Sequence, residues 1–68
     1  MARITTQQIR DAVVEVSRDK GRPATYEDVQ HYFGMSFPQH ARYYVRLAVE
    51  AGLIKVDRER QPHWLEAV

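Results

Sequence analysis

Apolar residues recur at helical spacing in three segments of the chain, and the pattern then changes to alternation near its end. In chain order the spaced positions are Ile9, Ala12, Val13 and Val16, then Tyr26, Val29 and Phe33, then Ala41, Val45 and Ala48. Steps of three and four residues place side chains on one face of a helix. The pattern therefore predicts helices over about residues 6–19, 26–33 and 37–51.

Polar residues at fixed offsets predict where each helix begins. In a capping box, the side chain before the helix and the one three positions later each bond the other's backbone. The pairs with this spacing are Thr5 with Gln8, Thr25 with Asp28, and Ser36 with Gln39. We therefore expect Ser36 to cap the third helix. Glycines follow the three patterns and predict left-handed helix ends at Gly21, Gly34 and Gly52.

The alternating region predicts a β-hairpin over about residues 53–66. Residues 53–56 and 63–66 have strand character, and the polar segment 57–62 joins them. We expect Trp64 to cover the core from the second strand. A short helix, a tight turn, a longer helix and a hairpin predict a winged helix-turn-helix, which is mainly α with a small two-stranded wing.

The charge of the chain is nearly balanced, but its distribution is uneven. The net charge is only +1 over 68 residues, a length that predicts one domain, residues 1–68. Between Asp28 and Glu50 there is no acidic residue, so this segment should present a positive surface. No apolar run reaches the roughly 20 residues that span a bilayer, and the N-terminus has no signal-peptide pattern. These features predict a cytoplasmic protein without membrane contact.

The third helix offers side chains suited to double-stranded DNA on its outward face. If its apolar stripe points inward, the outward or sideways positions are Gln39, His40, Arg42, Tyr43 and Arg46. Arginine can bond guanine and glutamine can bond adenine with paired hydrogen bonds, which favours Arg42 and Gln39 for base contacts. His40 and Tyr43 can bond to phosphate or stack, and Arg46, one turn further along, is better placed for phosphate. The alternative is an ordinary solvated helix face.

Four further residues complete the predicted DNA-binding set. Thr25 begins the second helix, which crosses the phosphate backbone in such domains. Phe37 is expected to be partly buried, with an exposed contact to a thymine methyl as the alternative. Arg58 and Arg60 could reach phosphates from the hairpin, or belong to a solvated turn of alternating charge.

Enzyme chemistry finds no support in the sequence. The chain has no cysteine and no glycine-rich phosphate loop, and His31, His40 and His63 lack metal-ligand spacing. We therefore expect no catalytic residue, metal, cofactor or small-molecule ligand.

Three segments resemble the DNA-binding domain of LexA-type repressors and, more broadly, bacterial and archaeal winged helix-turn-helix regulators. They are residues 21–25 (GRPAT), 34–41 (GMSFPQHA) and 50–54 (EAGLI), within a resemblance over about residues 5–56. It implies operator binding through the start of the third helix, at Phe37, Gln39, His40, Arg42 and Tyr43. The family tends to have small polar and acidic residues there, so a different operator is implied. The family's self-cleaving dimerisation domain has no counterpart in these residues, which removes support for an SOS role.

Two functions therefore remain open. The first is a sequence-specific transcriptional regulator, for which a homodimer would add affinity, since one module buries only about 600–1,000 Å² on DNA. The second is a protein–protein interaction module, or an accessory subunit of a nucleic-acid-processing complex. Fold alone does not decide between them.

Overall fold

Three helices and a two-stranded antiparallel sheet make up the computed structural model, which describes residues 3–68. Helix α1 is Thr6–Lys20, α2 is Tyr26–Phe33 and α3 is Pro38–Glu50; strand β1 is Ile54–Asp57 and β2 is Trp64–Ala67. The predicted helices and hairpin are confirmed, with ends that differ by one or two residues. None of the helices in the described part is long and apolar enough to cross a bilayer.

Two of the three predicted capping boxes are present with both hydrogen bonds. The Thr5 hydroxyl accepts from the Gln8 amide at 3.1 Å, and the Gln8 side chain accepts from the Thr5 amide at 2.8 Å. Thr25 and Asp28 exchange the same pair of bonds at 3.2 and 3.0 Å. These bonds satisfy backbone amides that the first turn of a helix leaves unpaired.

The third box is absent, and the prediction that Ser36 caps α3 is wrong. The residue before a proline is pushed toward the extended region, and Phe37 accordingly has φ −131° and ψ 139°. The helix therefore begins at Pro38, one residue later than expected. Phe37 occupies the N-cap and makes no side-chain capping bond.

The core lies where the three helices and the hairpin meet. Its buried members are the predicted stripes of α1 and α3 and Val29 of α2, joined by Ala24, Ile54 and Leu65. Tyr26 and Phe33, the other two positions of the predicted α2 stripe, are only partly buried. Val56 pairs directly with Leu65, so these two side chains share the core face of the sheet. Alternation places Asp57 and its partner Trp64 on the other face. Trp64 is only half-buried, so the prediction that it covers the core is wrong: Leu65 takes that place.

A third segment joins the hairpin. The Leu65 amide donates to the Ala24 carbonyl at 2.7 Å, and the two residues form an isolated antiparallel bridge. This bridge, which the sequence pattern did not predict, ties the loop between α1 and α2 to β2. It fixes the hairpin against the loop between α1 and α2.

Candidate nucleic-acid interface

A groove of about 340 Å³ runs between α3 and the hairpin. Arg42 and Arg46 are four residues apart and therefore lie on one face of α3. The hairpin contributes Arg58 from the loop that follows β1. The lining residues are Tyr26, Arg42, Val45, Arg46, Val49, Val56, Arg58 and His63. The groove thus has an apolar floor of valines with three guanidinium groups around it.

The three arginines of this groove keep their positive charge unneutralised. No carboxylate among residues 3–68 lies within 4.0 Å of Arg42, Arg46 or Arg58. The Arg42 guanidinium instead lies 5.6 Å from the centroid of the Tyr26 ring, and that of Arg46 lies 5.9 Å from the Tyr43 centroid. A cation over an aromatic face is held in place without losing its charge. A region of one sign attracts a ligand of the opposite sign.

Some of the other described cations are paired: two share the carboxylate of Asp28 on the α1–α2 side, and Lys55 and Arg60 each pair with an acid of the hairpin. Lys20 and Arg22 each approach the carboxylate of Asp28 to 2.8 Å. Burial by itself would raise the pKa of Asp28, but hydrogen bonds from Arg22, Lys20 and Thr25 outweigh burial and hold that pKa well below its ordinary value. This cluster secures the start of α2, and because one carboxylate meets two cations it keeps a net positive charge.

Acidic side chains gather around Tyr32 on the same side. Its hydroxyl donates to Glu15 at 2.8 Å. This bond raises the pKa of Tyr32, as do partial burial and the negative charges of Glu15, Asp11 and Asp19. Acidic side chains therefore gather around Tyr32 on the α1 side, whereas the arginines between α3 and the hairpin have no carboxylate partner among the described residues.

The predicted outward positions of α3 are all exposed. Gln39, Arg42, Tyr43 and Arg46 line one shallow depression that continues from the groove. His40 is also exposed and lies at the N-terminal end of the helix. The structure thus brings the predicted α3 residues together on one surface.

Phe37 is exposed beside His40 at the start of α3, against the expectation of partial burial. It is 55% exposed. Its ring contacts the edge of His40, with 5.5 Å between the centroids. The expectation was wrong because Pro38 forces an extended backbone at Phe37, and the core at this turn is filled by the partly buried Met35 instead.

Two predicted contacts have internal partners. Thr25 is 7% exposed, and its hydroxyl accepts the capping bond described above. The Arg60 Nε atom lies 3.3 Å from Asp57, and its guanidinium lies 4.4 Å from the centroid of the Trp64 ring. Thr25 therefore has a structural role, and Arg60 lies on the outer face of the hairpin.

Comparison with protein families, with curated proteins and with solved structures gives no match to the chain. The function must therefore be argued from the geometry of this surface.

Tyr26 and His63 are groove residues that the sequence analysis missed. The sequence pattern predicts Tyr26 for the apolar stripe of α2 and gives His63 no binding role. Their rings meet edge to face at 6.2 Å. Alternation along β2 could have identified His63, because it is two residues before the buried Leu65 and so points to the same side. The role of Tyr26 follows only from the packing of α2 against α3.

Proposed function

We propose that the chain is a winged helix-turn-helix protein that binds double-stranded DNA. In this proposal α2 and α3 form the helix-turn-helix and the β1–β2 hairpin is the wing. It acts in the cytoplasm as a sequence-specific transcriptional regulator. The single observation that carries the proposal is the groove in which Arg42, Arg46 and Arg58 have no carboxylate partner among the described residues.

The geometry supports different roles for the groove and for the start of α3. A helix-turn-helix places the N-terminal residues of its second helix at the base edges. Gln39, His40 and Tyr43 have exposed polar atoms at this end of α3. Arg42, which the sequence pattern favours for a base contact, lines the groove together with Arg46 and Arg58, and we assign all three to phosphates of the strand that borders the major groove. Phosphate contacts fix position, and base contacts give sequence preference.

The uneven surface charge supports DNA over a basic or neutral partner. A chain of net charge +1 would bind DNA weakly if its charges were evenly mixed. Arg42, Arg46 and Arg58 have no carboxylate partner among the described residues, whereas the acids of α1 gather around Tyr32, so unpaired positive charge is concentrated between α3 and the hairpin. That concentration orients the protein toward a polyanion during encounter.

Backbone-amide NMR with a mixed-sequence duplex tests the proposal. We expect shifts at residues 37–46, at Arg58 and at His63, and we expect them to shrink steeply from low to near-physiological salt. Residues 11–19 of α1 serve as the internal control and should stay unshifted. Absence of shifts at low salt would refute DNA binding.

A protein–protein module is the second candidate, supported by two exposed aromatic rings on the same face. Phe37 is 55% and Tyr43 is 51% exposed, and aromatic residues are enriched at protein interfaces. A surface that is unresponsive to duplex DNA would favour this function.

A further inference from the structure

Phe37 stands on the proposed DNA surface without any role in the core. Eight partly buried apolar residues pack against the core cluster, and Phe37 is not among them. Its neighbour in the turn, Met35, does pack there. The ring of Phe37 is therefore mostly exposed, with the His40 ring packed against it.

The position of Phe37 also departs from the pattern of the other two helices. The N-cap residues of α1 and α2 are threonines that accept hydrogen bonds from the backbone. Phe37 at the N-cap of α3 has no acceptor to offer. Proteins break such local rules at functional sites. At the start of α3 the capping hydrogen bond is absent, and an exposed aromatic ring occupies the N-cap position.

The ring is held in a defined place. Pro38 fixes the extended backbone at Phe37, and the His40 amide donates to the Phe37 carbonyl at 3.1 Å. The His40 ring meets the Phe37 ring nearly at right angles, with an interplanar angle of 84°. An ordered apolar group loses little freedom on binding.

We infer that Phe37 contacts the 5-methyl group of a thymine and makes that base a determinant of the recognised duplex. This inference rests on the proposed function. The start of α3 approaches base edges in the major groove, and the thymine methyl is the apolar group displayed there. The charge of the adjacent arginines selects a nucleic acid as the occupant of this face rather than an apolar protein segment.

The experiment replaces thymine by uracil, which removes only the methyl group. A random duplex library is selected on the protein, and the tightest sequence is synthesised with each thymine in turn replaced by deoxyuridine. Affinity is measured by fluorescence anisotropy for the wild type, Phe37→Leu, Phe37→Ala and Tyr32→Ala. The last variant removes an exposed aromatic on α2 outside this face. Thermal melting verifies that each variant is folded.

One uracil position should weaken wild-type binding about fourfold, the effect of burying one methyl group. Phe37→Leu and Tyr32→Ala should keep this discrimination, and Phe37→Ala should lose it. Equal affinity for thymine and uracil at every position, with duplex binding intact, would overturn the inference and leave the proposed function standing. Tighter binding to the single strand than to the duplex would also overturn it, because stacking on an unpaired base would then explain the ring. Absence of any duplex binding would refute the proposed function itself.

Discussion

Arg58 lies in the groove beside α3, whereas Arg60, two residues further on, lies against the Trp64 ring at 4.4 Å. Asp57 also holds Arg60 at 3.3 Å. Replacing either arginine by alanine removes one positive charge from the hairpin loop. Of the two, only Arg58 has no carboxylate partner among residues 3–68. They therefore form a matched pair.

Arg58→Ala should weaken duplex binding, and Arg60→Ala should leave it nearly unchanged. A lost phosphate contact reduces affinity for all sequences alike. Binding of fluorescent duplex at low salt measures both variants. Equal losses would show that general charge, rather than the groove, attracts DNA.

Acid should destabilise the fold through Asp28. Hydrogen bonds from Arg22, Lys20 and Thr25 lower its folded-state pKa below the unfolded value of 3.8. A lowered pKa contributes stability that is fully present above the unfolded pKa and is lost as the pH falls through the folded one. The free energy of unfolding should therefore decline below about pH 4.

The Asp28→Asn variant tests this assignment by urea unfolding across the acid range. At neutral pH it should lose about 1–3 kcal/mol, because charge-assisted bonds to a buried group are removed. As the pH falls, the free energy of unfolding of this variant should decline less than that of the wild type. An unchanged pH profile would place the acid sensitivity in another carboxylate.

Leu65 and Trp64 should differ sharply in their contribution to stability. Leu65 is 0% exposed, so Leu65→Ala should cost about 2–5 kcal/mol, as large-to-small core substitutions do. Trp64→Ala removes a larger side chain from the outer face of the hairpin and should cost less. Urea unfolding of both variants gives the comparison, and a greater cost for Trp64→Ala would contradict the register Val56–Leu65.

Phe37→Ser should stabilise the protein while weakening its DNA binding. Serine at an N-cap accepts a backbone hydrogen bond, which is worth about 1 kcal/mol. A gain in the urea midpoint together with a loss of duplex affinity would show that the ring serves binding. A loss of stability instead would show that Phe37 supports the fold.

The helices and the hairpin followed from the sequence because their signals are local. The stripe of α1, its Thr5–Gln8 box and the glycine ends involve residues within a few positions of one another. The start of α3 was misplaced because two local rules compete there, and the effect of Pro38 on Phe37 outweighs the capping preference of Ser36.

The candidate site was only partly predictable for a different reason. Arg42 and Arg46 follow from the helical period of α3. The approach of Arg58, the opposite placement of Arg60 and the contact of Tyr26 with His63 depend on how the hairpin packs. That packing rests on the bridge between Ala24 and Leu65, which joins distant segments and leaves no short-range pattern.

The salt dependence of duplex affinity tests the groove most directly. For the wild type, three phosphate contacts predict that log K falls against log salt with a slope of about −2.7. Arg42→Ala and Arg46→Ala should each reduce the magnitude of this slope by about 1. Arg18→Ala, an exposed position on α1, should leave it unchanged. A slope near zero for the wild type, or equal slopes for all three variants, would contradict DNA binding through this groove.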